Sequence, residues 1–230
     1  MKRTILKILE VLFIILIIGS LINILSWYND KRKVKKIVNN VSDYLILDND
    51  SYAINEEIIK INEDTIGWIK IENTNINYPI VQTNNNDYYL RHDYDGNRNA
   101  AGWIFMDYRN SMDDQNIVIY GHHRKDGIMF GDIDKLMKKS YYDDNDGKIL
   151  LVINGENKYY QIFSVYEASS TDYYADRNFD DFEKTLEEFK SRSKINFDTD
   201  LTGIKQILTL STCHDNNKDR LVVQAYEILT

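Results

Sequence analysis

The sequence predicts a mainly β protein: a closed or nearly closed barrel of about eight strands, dressed by N-terminal helices and one amphipathic helix. Three observations lead there. Short runs rich in Val, Ile and Tyr recur from Thr65 onward, separated by Gly, Asn and Asp. Helical periodicity is confined to the N-terminal part and to one segment ahead of the last two strands. No glycine signature of a dinucleotide- or phosphate-binding α/β unit occurs.

The N-terminal segment carries an almost unbroken apolar run from Val11 to Leu25, extended backward by Ile5, Leu6, Ile8 and Leu9. Residues 5–25 are about as long as the 20-odd residues a helix needs to cross a bilayer. Lys7 and Glu10 lie near one end, where they can snorkel or pair. No small-residue cleavage site follows, so an uncleaved anchor is expected. Trp27 and Tyr28 stand where an interfacial aromatic belt would be. Lys2, Arg3 and Lys7 precede the span and Lys31, Arg32, Lys33, Lys35 and Lys36 follow it, so charge bias does not orient it.

Residues 26–60 are polar, with apolar residues at irregular helical spacing (Val34, Ile37, Val38, Val41, Leu45). They read as a helical stalk that packs on the domain or as a solvated linker. The folded domain is placed at 61–230. "GWIKIENTNINYPIVQ" predicts two strands around Asn73-Thr74-Asn75, with Pro79 at an edge or a strand start. Residues 101–109, 115–123, 147–153, 158–169, 205–212 and 220–229 supply the other strands, and Asn154-Gly155 marks a tight hairpin. In residues 179–193, Phe179, Phe182, Leu186 and Phe189 recur three or four apart, which is the stripe of an amphipathic helix.

The 230 residues are 43% hydrophobic and 28% charged, consistent with one globular domain plus an appendage. A net charge of −8 argues against nucleic acid as the main partner, because a phosphate binder needs a basic face. The single cysteine excludes an intramolecular disulfide and a thiolate-rich zinc cage.

That cysteine, Cys213, ends the apolar alternating run "QILTLSTC" where a strand gives way to a loop. "NIVIYGHH" ends in His122 and His123 at the same kind of place. Catalytic groups are often held at strand ends, where a scaffold fixes them and substrate can reach them. A free thiol is mostly protonated at neutral pH, and a neighbouring imidazolium or guanidinium stabilises its thiolate. Arg220 opens the next strand and could return toward Cys213 in an antiparallel pair. Other readings stay open at this stage. Cys213 could be a buried thiol, although Ser211, Thr212, His214, Asp215 and Asn216 around it are polar. The histidines could be surface residues. Cys213, His214, His122 and His123 could also ligate zinc, if adjacent side chains that diverge on extended chain were made to converge.

"TLSTC" (209–213) followed by Arg220, together with "IVIYGHH" (117–123), resembles the sortases, specifically class B. "NTNINYPIVQ" (73–82), "YYLRHDY" (88–94), "GWIFMDYRN" (102–110) and "MFGDIDKL" (129–136) extend the resemblance over roughly residues 60–230. It implies a sortase-type barrel and a membrane-anchored cysteine transpeptidase of Gram-positive bacteria. Such an enzyme cuts a C-terminal sorting pentapeptide of secreted proteins through a thioacyl-enzyme. It then joins them to a cell-wall (peptidoglycan) amine, with no metal and no organic cofactor.

By the same resemblance Cys213 is the nucleophile, His122 the acid/base and Arg220 the oxyanion or substrate support. Ser211, Tyr174, Asn86 and Leu90 are similar to substrate-groove positions. Residues 1–4 would be cytoplasmic and the catalytic domain extracellular. The connection from Cys213 to Arg220 is shorter than in some relatives. His214 is a rival base, and His122 is preferred because adjacent residues on extended chain point to opposite faces. The alternatives are a membrane-anchored thiol protease that hydrolyses the same acyl-enzyme and a non-enzymatic, cell-wall-binding β-barrel.

Overall fold

The computed structural model describes residues 2–49, 51–169, 172–213 and 220–228, with the backbone alone at Lys2 and Cys213. The chain opens with α1 (Lys2–Val41), one continuous helix. Its large apolar side chains from Ile5 to Leu25 are all exposed, and the helix is long and apolar enough to cross a membrane. Further along, Val34, Ile37 and Val41 recur at three and four residues. They share one face and are buried in the main core. One helix therefore serves as apolar span and as part of the domain.

Where these two parts meet, the Arg124 guanidinium lies over the Trp27 ring at 5.5 Å and pairs with Asp126 at 2.8 Å. Lys31 Nζ donates to the Asp126 carbonyl at 3.3 Å. The stalk pattern differs from expectation beyond Val41. Residues read there as helix form an antiparallel pair, β1 (Leu45–Asp48) and β2 (Ser51–Ile54). Asn49 takes φ +45°, which asparagine tolerates, so the chain can reverse there. The Asn157 side chain grips both backbone groups of Tyr52, at 2.8 and 2.6 Å, and pins the pair to the barrel.

The barrel is built from β3 (Thr65–Ile71), β4 (Asn77–Val81), β5 (Phe105–Met106), β6 (Asn116–His122), β7 (Lys148–Ile153), β8 (Glu156–Ala168), β9 (Ile207–Cys213) and β10 (Arg220–Ile228). These eight strands close in the order β10-β8-β7-β3-β4-β5-β6-β9, as the strand pattern predicts. Neighbours are antiparallel except β4 with β5 and β6 with β9. Pro79 sits within β4, where its carbonyl accepts from Trp103 Nε1 at 2.9 Å on the side facing β5. On that side β4 pairs with β5 through Val81 and Phe105, two residues past Pro79, so the missing proline N–H breaks no ladder bond among the described residues. Asn154 and Gly155 both have positive φ, +52° and +77°, the signature of the tight turn that joins β7 to β8.

The expected strand over 101–109 shrinks to β5 because Gly102 is left-handed (φ +58°) and the backbone on either side of it is bonded elsewhere, Asn99 N–H to Arg91 O and Trp103 N–H to Tyr89 O. The main core includes Ile69, Ile117, Ile119, Leu151, Leu208, Leu210 and Val223, and Trp68 and Trp103 belong to the same cluster. A second cluster lies outside the β8–β10–β9 wall, where α3 (Phe182–Arg192) buries Leu186 and Phe189 against Phe163, Ile207 and Val222. Asp181 caps α3 by accepting from the Lys184 N–H at 3.1 Å. Phe179 precedes the helix and packs edge-on against Phe189, ring centroids 5.7 Å apart. A short helix, α2 (Ile133–Leu136), follows the loop after β6.

Candidate active site

Register alone assembles the site. β9 lies between β6 and β10, and its pairings form rows across three strands. Gln224, Thr209 and Val118 make one row; Val222, Ser211 and Tyr120 make the next. One step further, His122 pairs with Cys213. The same β9–β10 register carried to its end sets Arg220 across from Cys213. Side chains alternate faces along a strand, so positions 209, 211 and 213 share one face. Leu208 and Leu210 take the other face, inside the barrel. The strand ends are held together by the Leu221 N–H, which donates to Thr212 Oγ1 at 2.9 Å. His122 and Arg220 are half-buried. Gly121 separates Tyr120 from His122 because a Cβ there would lie 2.4 Å from Ile104 Cδ1 and 2.9 Å from the Phe130 ring.

The row beneath is a polar floor. Tyr174 and Ser211 are both buried, and their hydroxyls are 3.0 Å apart. The Tyr120 hydroxyl donates to Asp107 Oδ2 at 3.2 Å. Asp107 also accepts from Arg109 Nε at 2.9 Å and Nη2 at 2.8 Å. Burial alone would raise the Asp107 carboxyl, but the Arg109 side-chain and backbone donors outweigh it and hold the carboxyl below its usual range. Burial first, and the Asp107 carboxylate second, push the Tyr120 hydroxyl well above the usual tyrosine range, so it stays a donor.

Asn116, fully buried, ties the floor to its cover. Its amide donates to the carbonyls of Tyr174 (3.0 Å) and Asp176 (2.8 Å), and its Oδ1 accepts from Thr209 Oγ1 at 2.7 Å. Asp107, Tyr120 and Asn116 escape sequence reasoning. The available signals were the Asp107-x-Arg109 spacing and a lone amide at the head of an apolar strand.

The four substrate-groove positions separate into two places. Tyr174 and Ser211 are together one row below the Cys213 row. Leu90 reaches the site through its backbone, accepting from His122 Nε2 at 2.8 Å. Asn86 lies apart, its Oδ1 accepting from the Tyr108 N–H at 2.9 Å beside the Asp107–Arg109 pair. His123 turns away, with its Nε2 2.9 Å from Asp134 of α2. His214, the rival base, lies outside the described residues.

Comparison with known proteins agrees with this geometry. The family model described as "Sortase domain" matches residues 69–228. Sortase B of Listeria monocytogenes is 39% identical over 177 residues, covering 73% of this chain and 71% of that protein. Sortase B of Staphylococcus aureus is 38% identical over 179 residues, covering 74% and 72%. The crystal structure of sortase B from Bacillus anthracis in complex with AAEK1 superposes with a TM-score of 0.77 at 32% identity, over 88% of this chain and all of that one. A closed eight-stranded barrel, a cysteine strand flanked by histidine and arginine strands, and identity across most of the chain lead to one conclusion: the chain belongs to the sortase family, in its class B branch, and is a cysteine transpeptidase.

Proposed function

We propose that Cys213 is the nucleophile, His122 the acid/base and Arg220 the oxyanion support of a transpeptidase that anchors secreted proteins to the cell wall. The apolar part of α1 holds the enzyme in the membrane as a single span, with the barrel on the outer side. The donor is a sorting pentapeptide near the C-terminus of a secreted protein, and the acceptor is a peptidoglycan amine. One observation supports these roles above the others: His122 pairs with Cys213 across β6 and β9, and the β9–β10 register, carried on from Val222–Ser211, sets position 220 in the same row.

In the first half-reaction the Cys213 thiolate attacks the carbonyl carbon before the scissile bond. The carbonyl π bond opens to an oxyanion, stabilised by the Arg220 guanidinium, which keeps its charge at every working pH. The C–N bond then breaks as protonated His122 gives its proton to the departing amine, leaving a thioacyl-enzyme. In the second half-reaction neutral His122 takes a proton from the incoming amine. The amine nitrogen attacks the thioester carbon, the C–S bond breaks, and the thiolate returns. Leu90 lines the substrate groove, and the buried Tyr174–Ser211 pair is its floor. Asn86 shapes the same wall through the Tyr108–Arg109 loop.

The test is to incubate the full-length protein in detergent with candidate sorting peptides and an amine, mapping the products by mass spectrometry. Cleavage with amine-ligated product is expected; cleavage that ends only in the free acid would reassign the enzyme as a protease. Cys213→Ala is expected to abolish cleavage while thermal stability holds. His122→Ala compared with His214→Ala decides the base, and an active first variant beside an inactive second would reject His122.

A further inference from the structure

Resting on the assignment of His122 as the acid/base, we propose that Gly102 and the Leu90 carbonyl form a backbone cradle that fixes the His122 ring with its proton on Nε2, so that Nδ1 exchanges the proton during turnover. The cradle is built from three consecutive carbonyls, each with its own donor. Tyr89 O accepts from the Trp103 N–H at 2.8 Å, and Arg91 O accepts from the Asn99 N–H at 2.9 Å. Segment 99–103 is thereby hung on the 88–91 turn at two points. Leu90 O, between them, accepts from His122 Nε2 at 2.8 Å.

A carbonyl oxygen can only accept, so the nitrogen facing it carries the hydrogen. In the neutral ring the lone pair is then on Nδ1, and the second proton is gained and lost there.

Gly102 makes the approach possible. Its φ of +58° is left-handed, and a Cβ built on it would stand 2.5 Å from Tyr89 O, 3.0 Å from Leu90 O and 3.0 Å from His122 Cδ2. All three are parts of the cradle or of the ring it holds, and two of them are backbone that cannot swing aside. Any side chain at 102 must therefore push the turn or the imidazole out of place. The segment that carries the glycine is itself anchored: the Asn99 side chain accepts from the Ala101 N–H at 2.9 Å, and Trp103 Nε1 is held by Pro79 O. Gly102 touches no reacting atom and acts through His122, so it is a positioning residue.

The deciding experiment is nitrogen NMR of full-length protein in micelles, labelled with 15N-histidine, at a pH where the rings are neutral. The His122 signals are assigned by their loss in His122→Ala. The expected result is the Nε2–H tautomer for His122; the Nδ1–H tautomer would overturn the proposal while leaving His122 as the acid/base. Gly102→Ala is expected to lower kcat about 100-fold with KM nearly unchanged, since about 1 Å of misplacement costs that much. Its His122 spectrum should show mixed tautomers. Wild-type kcat in Gly102→Ala would also reject the cradle. If that variant does not fold, the wild-type spectrum alone decides. Wild-type turnover in His122→Ala would instead remove the acid/base assignment and the proposal with it.

Discussion

Replacing Asp107 by asparagine removes a negative charge from a side chain with no exposed surface while keeping its shape nearly constant. The carboxylate receives Arg109 Nε and Nη2, the Arg109 N–H at 2.9 Å and the Tyr120 hydroxyl. Asparagine keeps one acceptor and turns the other into a donor that faces a guanidinium. Hydrogen bonds to a charged group contribute about 1.5–3 kcal/mol each. Arg109 is 41% exposed and recovers water when its partner goes, so the total is discounted to about 2–3 kcal/mol. For a domain of this size that corresponds to a fall in Tm of about 5–10 °C.

The effect must follow pH. The native carboxyl is held below its usual range, so its contribution is complete above the unfolded-state value of about 4. It fades as pH falls through the lower native value. Urea titration of the full-length protein in micelles, followed by fluorescence of the buried Trp68 and Trp103, measures the gap between wild type and variant. The gap should be open at pH 7 and narrow as pH falls below about 4. A gap that stays constant through the acid range, or none at pH 7, would falsify the assignment of this pair as a charged clamp under the site.

Arg220→Lys should lower kcat about 10–100-fold in steady-state peptide cleavage, because an ammonium lacks the planar fork of donors; unchanged kcat would remove the oxyanion role. Asn116→Ala strips the donor from the buried Tyr174 carbonyl and from the part-buried Asp176 carbonyl, and the acceptor from Thr209, and should cost about 2–3 kcal/mol in denaturant unfolding; a loss under about 1 kcal/mol would mean the hub is not shared as described. Ile37→Ala opens a hole where α1 meets the barrel, and a cost of about 2–4 kcal/mol is expected, with faster proteolysis between α1 and β3. Wild-type resistance would show that the docking is weak.

The barrel could be read from the sequence because its strands alternate with period two around a closed core. Leu208 and Leu210 or Ile117 and Ile119 show this without any structure. β1 and β2 could not, since Leu45-Ile46-Leu47 lies on a small, largely exposed sheet whose alternation follows no core. β5 was overestimated because the apolar string around Trp103 is bonded to a turn instead of a neighbouring strand. Cys213, His122 and Arg220 stand out by residue type and strand-end position. Their common row depends on strand order, above all the parallel pairing of β6 with β9, which no local pattern encodes. The grip on His122 was invisible for a simpler reason: its partner is a peptide carbonyl, which every residue carries. Only the glycine at 102 hinted at a close approach.

The unbroken course of α1 also governs reach. With Val34, Ile37 and Val41 sunk into the barrel and no joint between them and the apolar stretch, the domain is carried like a lamp on a stiff post. The clasp of Trp27 by Arg124 joins the post to the loop that leaves His122 only two residues earlier. With the apolar stretch in the membrane, as proposed above, helical rise would set the height at which scissile bonds are met, about 1.5 Å for each residue added or removed. Inserting a flexible Gly-Ser segment after Trp27 would trade that fixed height for a swinging one.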